Sequence, residues 1–280
     1  MMKDISLGQY YPINSFLHRL DPRIKLLSTI VFLIAAFTAK SHWCFLFLTA
    51  VTFLLIALSR IPVRTILRGV KPLLFVLIFT AVLLLFTTKG EGDPYFSLSV
   101  FSLFSLEIYP MGVSYAFLFS LRIVLVVIAT GLFLTYTTTP TKLTDALESV
   151  FHPLTYIGIP VYDFAMMMTI ALRFIPTLTE ETDKILSAQK ARGADFTNGS
   201  LLKRAKALLP ILIPLFASSF RRAGELGVAM ECRCYRGGAG RTRLYRFHLR
   251  FADVAFLVLF CIGAALVFLG NAYLPTPYML

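Results

Sequence analysis

Charge is scarce in this 280-residue chain, where Asp, Glu, Lys and Arg together make up 15% against 57% apolar residues. An average soluble domain carries about 25% charged residues, so the composition excludes an ordinary soluble globular protein. Acidic side chains are scarcer still, and none falls inside the long apolar runs. That absence excludes the intramembrane carboxylates on which proton- and sodium-driven carriers depend. No GxxxxGK[ST] segment occurs, so the chain has no nucleotide-binding loop of its own. No apolar run precedes Leu26, which argues against a secretory leader. The four cysteines, Cys44, Cys232, Cys234 and Cys261, give no disulfide framework.

What is present is a set of apolar blocks long enough to cross a bilayer core, which takes ~17–25 helical residues. The clearest are residues 41–59, 72–88, 111–139 and 254–274, with a shorter block at 26–39 that Ile24 and the Lys25 stem extend. Five spans are expected. The 27 basic residues follow this pattern. With a cytoplasmic N-terminus, only Lys40 and Lys89 fall outside and Arg122 lies within a span, while all sixteen basic residues from Lys142 to Arg250 fall inside. Positive charge near span ends stays in the cytoplasm, so the expected topology has the N-terminus inside and the C-terminus outside. The charge is explained by this topology and needs no nucleic-acid partner.

Three parts follow: a membrane domain over 1–140, an inserted cytoplasmic domain over 141–253, and a last span with an external tail over 254–280. The loop around 90–109 is mildly apolar and suited to the membrane surface. The inserted part reads as helices over 141–151, 163–191 and 201–230, whose apolar stripes are not expected to form continuous spans. A bend is expected at Pro176, and interruptions at Pro210 and Pro214.

Two of these helices end alike, on Ala191-Arg192-Gly193 and on Cys232-Arg233-Cys234. In regular helices Leu178, Ile185 and Arg192 share a face, as do Ser219, Leu226 and Arg233, so both arginines cap an apolar stripe. A guanidinium between small neighbours suits bidentate docking into a partner's groove. It equally suits lipid headgroups or the negative end of a helix dipole. Ala223, Gly224 and Gly227 leave room for a close helix crossing.

Other constellations are weaker. Arg122 in the fourth span belongs either on a substrate path or against helix carbonyls. Cys232-x-Cys234 with His248 lacks a fourth metal ligand. The glycine run 237–240 with Arg241 and Thr242 lacks phosphate-loop spacing, and Asn198-Gly199-Ser200 is a sequon on the cytoplasmic side. Met166, Met167 and Met168 suit packing. Asp145, Glu148, His152 and Asp163 form the one loose grouping available to a membrane enzyme.

The stretch from Ser15 to Lys25 (SFLHRLDPRIK), the stretches Ala171–Pro176 and Gln189–Asp195, and the stretches Ser219–Ala223 and Ala229–Gly237 together resemble the transmembrane T component of energy-coupling factor (ECF) transporters over nearly the whole chain. The resemblance implies an all-α integral membrane protein of about five spans with a long helical coupling domain before the last. It also implies that Arg192 and Arg233, within their x-Arg-x motifs, dock on two ABC-type ATPase subunits, which bind the ATP. A separate membrane S component would bind the substrate, and the long inserted segment points to the shared, vitamin-importing bacterial type. The chain itself would hold no cofactor or metal and catalyse nothing. A self-contained channel or secondary transporter is the rival reading, and Arg122 is the only charge its pathway could use.

Overall fold

The computed structural model describes residues 10–88, 96–100, 104–194, 200–237 and 248–273. Its contacts divide into two units, one taking Gly8–Leu143 with Phe247–Leu280 and the other centred on Thr144–Arg246.

The first unit is built from helices: α1 (Phe16–Arg19), α2 (Pro22–Thr38), α3 (His42–Ser59), α4 (Val63–Val70), α5 (Leu74–Thr87), α6 (Pro110–Thr130) and α10 (Phe251–Tyr273). Local chemistry sets their starts. Pro22 and Pro110 occupy first-turn positions, where a missing N–H costs nothing. Asp21 caps α2 by accepting from the Arg23 amide. A 3₁₀ turn, Lys71–Leu73, joins α4 to α5, so the apolar span 72–88 is the second half of a 25-residue helical rod. The loop before α6 holds two antiparallel strands, β1 (Phe96–Val100) and β2 (Phe104–Ile108). They are an addition to the expected all-α architecture, and the turn between them lies outside the described residues.

α6 continues as a π-helix over Gly131–Tyr136. The threonines that follow take up a carbonyl this geometry leaves open, as Thr137 Oγ1 and Thr138 Oγ1 both donate to Phe133 O. Tyr136 lies against Gly69, where any Cβ would meet the phenol oxygen at 2.5 Å. Two clusters fill the interior. One joins α2, α3, α6 and α10 around Phe32, Phe45 and Leu125, and the other joins α1, α3, the π-helix and α10 around Leu17, Phe133 and Phe256.

In the second unit α7 (Pro140–Phe151) leads through a 3₁₀ turn into α8 (Val161–Ala191) and α9 (Leu201–Cys232). Helix continues through Pro176, Pro210 and Pro214, so the expected interruptions at the last two do not occur. Each proline removes one ladder bond, and in helices of 31 and 32 residues the neighbouring turns carry the rod across the gap.

Among the described residues five helical stretches are long and apolar enough to cross a membrane: α3, α4 with α5, α6 with its π-helix, α8 and α10. Four coincide with spans read from the sequence. The fifth, α8, falls within 141–253, where no continuous span is expected from the sequence. The uninterrupted passage through Pro176 gives α8 its apolar window, the least apolar of the five. The block at 26–39 is α2, whose 17 residues reach about 25 Å at 1.5 Å per residue.

Candidate coupling site

Both x-Arg-x motifs form the ends of long helices, and the two ends share one backbone geometry. At the end of α8 the Gly193 amide donates to Lys190 O at 3.0 Å and the Ala194 amide to Gln189 O at 3.0 Å. At the end of α9 the Cys234 amide donates to Glu231 O at 2.9 Å and the Tyr235 amide to Met230 O at 3.1 Å. This paired pattern is a Schellman cap with the arginine at its last half-helical position. The residue after each arginine takes left-handed backbone, Gly193 at φ 84° and Cys234 at φ 56°. Glycine adopts that conformation freely, whereas a side chain costs roughly 1 kcal/mol there. The chain turns sharply away behind each arginine. Ala191, Arg192, Gly193, Cys232, Arg233 and Cys234 are all exposed.

The two helices are tied to each other at matching positions. Arg222 of α9 donates to Glu181 of α8 at 2.6 Å. Glu181 stands eleven residues before Arg192, and Arg222 stands eleven before Arg233. Eleven residues are about three turns and ~16 Å of helix, so each tip lies on nearly the same helix face as its member of the ion pair. Two arms of equal length and equal register thus run from one linked crossing to two identically capped arginines. The crossing does not use the small residues expected to make it. A Cβ on Gly224 or Gly227 would meet nothing within 4 Å. The Arg222–Glu181 reach sets the approach instead.

Four hydroxyls along α8 bond to its own backbone: Thr169, Thr179, Thr182 and Ser187 each donate to the carbonyl four residues back.

Arg122 lies twelve residues into α6, and its Nη2 donates to the Ala39 carbonyl at 2.6 Å while its guanidinium covers the Phe45 ring at 5.3 Å. Ala39 begins the turn between α2 and α3, which is wrapped in polar contacts. Asn271 Nδ2 donates to Thr38 O at 2.6 Å, and Asn271 Oδ1 accepts from the Lys40 amide at 3.0 Å. Arg122 and Asn271 together satisfy a turn that two helices of 17 and 18 residues leave among apolar neighbours. Sequence reasoning passes over Asn271. Its signal is a single amide near the end of an otherwise apolar span.

A second polar cluster escapes it as well. Lys25 is buried, and its Nζ donates to Thr137 O at 2.9 Å and Thr138 Oγ1 at 3.3 Å. Asp253, also buried, accepts from the amides of Asp21 and Arg250. These bonds fasten the starts of α2 and α10 and the open end of the π-helix.

Among the described residues no group of three His, Cys, Asp or Glu side chains could hold a metal. His152 meets the Tyr156 ring edge-on. The glycine run beyond Gly237, its basic continuation Arg241, Arg243 and Arg246, and Asn198-Gly199 lie outside the described residues.

Known proteins resemble this chain in sequence. Residues 13–244 match the model of the cobalt transport protein family, CbiQ. The energy-coupling factor transporter transmembrane protein EcfT of Ruminiclostridium cellulolyticum is 47% identical over 254 residues, 91% of this chain and 92% of the relative. That of Brevibacillus brevis is 50% identical over 253 residues, 90% and 93% of the two chains. That of Bacillus subtilis is 41% identical over 272 residues, 97% and 100%. The chain belongs to the cobalt transport protein family and is, within it, a membrane coupling component of a bacterial energy-coupling factor importer.

Proposed function

We propose that Arg192 and Arg233 are the two points at which this chain receives motion from a pair of ABC-type ATPase subunits. The observation that carries this reading is the match between the two arms, each a linked helix ending eleven residues later in an exposed, Schellman-capped arginine. A docking element that transmits displacement has to be stiff behind its contact. The shared cap and the Arg222–Glu181 link supply that stiffness, and the guanidinium offers a fork of donors for a carboxylate or carbonyl groove.

In this reading the ATPases bind and hydrolyse ATP, and this chain catalyses nothing. Closure of the pair displaces α8 and α9. The spans carry that displacement to a separate membrane S component, which binds the solute, a vitamin or another micronutrient. Residues 141–253 act as the coupling domain between membrane parts 1–140 and 254–280, with the N-terminus cytoplasmic and the C-terminus external. The basic residues concentrated from Lys142 to Arg250 support that orientation. The apolar first half of α8 fits a helix that enters the membrane before its charged half reaches the ATPase.

The test is purification of the tagged chain from its native membrane in mild detergent, with mass spectrometry of what accompanies it. Two ABC-type ATPases and a small membrane protein are expected. A chain that purifies alone and moves solute in liposomes without ATP contradicts the reading.

A further inference from the structure

A groove of about 750 Å³ runs along the first unit between α2, α3 and α10, and every residue lining it is apolar. Gly263 is among its lining residues, and a Cβ there would touch the Phe47 ring at 3.6 Å. The helices α3 and α10 run antiparallel here, since Cys44 at the start of α3 bonds to Val267 and Asn271 near the end of α10. Leu58 near the end of α3 and Phe251 at the start of α10 therefore line the same end of the groove, joined by Phe16 of α1, whose ring lies 6.1 Å from Phe256. Along α10 the lining extends from Phe251 to Leu266, about 22 Å of helix, more than the ~15 Å depth of one leaflet's hydrocarbon.

Three arginines stand at that one end, each a few residues from a lining side chain: Arg19 after Phe16, Arg60 after Leu58 and Arg250 before Phe251. All three are exposed, and among the described residues none is in an ion pair. The two carboxylates nearby are already committed. Asp21 caps α2 and Asp253 holds two backbone amides, both out of solvent. The opposite end of the groove, near Phe47 and Leu266, carries Lys40 and one arginine, Arg122, whose guanidinium is already committed to the Ala39 carbonyl at 2.6 Å and to the face of the Phe45 ring.

From this juxtaposition we infer that the groove binds one anionic phospholipid, with an acyl chain along α3 and α10 and its phosphate on Arg19, Arg60 and Arg250. Guanidinium groups recognise phosphate oxygens by paired hydrogen bonds, and basic clusters at the mouth of apolar clefts between spans are suited to anionic headgroups. A zwitterionic lipid brings a compensating cation to the same three arginines and binds less well. The lipid so held occupies the seam by which α10 packs on α2 and α3.

Brominated lipids test this directly. A fluorescent reporter is placed in the groove lining by Leu54→Trp, in a chain whose only native tryptophan is removed by Trp43→Phe. The chain is reconstituted with its co-purifying subunits in phosphatidylcholine vesicles containing a minor fraction of acyl-brominated phosphatidylglycerol or acyl-brominated phosphatidylcholine. The expected result is several-fold stronger quenching by the phosphatidylglycerol at equal bromine content, reduced by Arg60→Gln alone and abolished by Arg19→Gln, Arg60→Gln and Arg250→Gln together. Trp43 in the parent chain, at the other end of α3, serves as the reporter that needs no substitution and should show no headgroup preference. Equal quenching of the Leu54→Trp reporter by both lipids means bulk lipid only and overturns the inference. No quenching by either means that a protein neighbour covers the groove and overturns it too.

Discussion

Arg222 Nη2 lies 2.6 Å from Glu181 Oε2, and each of these residues stands eleven positions before an arginine tip, Arg233 and Arg192 respectively. The pair is partly exposed, so its direct stabilisation is expected to be small, ~0.2–1 kcal/mol. On the proposed coupling reading, its value lies in registering the two arms. Glu181→Gln and Arg222→Gln should therefore change thermal stability little and leave ATPase co-purification intact, while lowering solute uptake per ATP hydrolysed. Charge exchange, Glu181→Arg with Arg222→Glu, should restore that ratio. A ratio unchanged in the single variants would remove the registering role.

The cap after each arginine gives a second expectation. Cys234 occupies left-handed backbone that Gly193 occupies in the other arm. Cys234→Gly should stabilise the end of α9 by about 0.5–1 kcal/mol, and Gly193→Ala should destabilise the end of α8 by a similar amount. Amide hydrogen exchange at the last turn of each helix reads both effects, with slower exchange in the first variant and faster in the second.

The π-helix gives a third. A methyl on Gly69 would sit 2.5 Å from the Tyr136 hydroxyl oxygen. Gly69→Ala should cost about 1–3 kcal/mol by overpacking, and Tyr136→Phe should recover most of it, because the next atom of the ring lies 3.8 Å away. Thermal unfolding in detergent of the single and double variants measures the coupling. Additive losses would show that the contact is not the cause.

The segment before α2 carries a pH dependence. His18 Nε2 donates to Tyr11 O at 2.8 Å, which leaves Nδ1 to accept from the Ser15 hydroxyl at 2.7 Å, so the neutral ring fits its site. Burial pushes the His18 pKa below its ordinary value of 6.5, with the positive Lys25 adding to the effect. A folded-state value below the unfolded one means the contribution is intact above the unfolded value and is lost as pH falls through the folded one. The melting temperature should therefore drop below about pH 6.5, and His18→Gln should flatten that part of the profile.

Much of this architecture is legible in the chain because bilayer-crossing helices are written as continuous apolar runs. Residues 41–59 and 254–274 match α3 and α10 closely, and the hydroxyl-rich end of the fourth span, 135–139, coincides with the end of the π-helix. Hydropathy misses what is written in single residues. Val63–Val70 is amphipathic and reads as loop, yet it begins the rod that α5 completes. The apolar half of α8 is not expected from the sequence to form a continuous span, because a charged half follows it beyond Pro176. Lys25, Asp253 and Asn271 each make contacts more than 100 residues away, which no local pattern reveals. The tips are visible as x-Arg-x, but their common cap and equal arm length need backbone geometry and the Arg222–Glu181 contact.

The most direct test of the coupling role is ATPase association and ATP-dependent uptake in membranes carrying Arg192→Glu with Arg233→Glu. Both arginines are exposed, so the substitutions should leave the spans folded, with the same melting transition in detergent as the parent chain. The account predicts that the ATPase subunits no longer co-purify and that uptake falls to background. Retention of both subunits and of uptake in that double variant would contradict it.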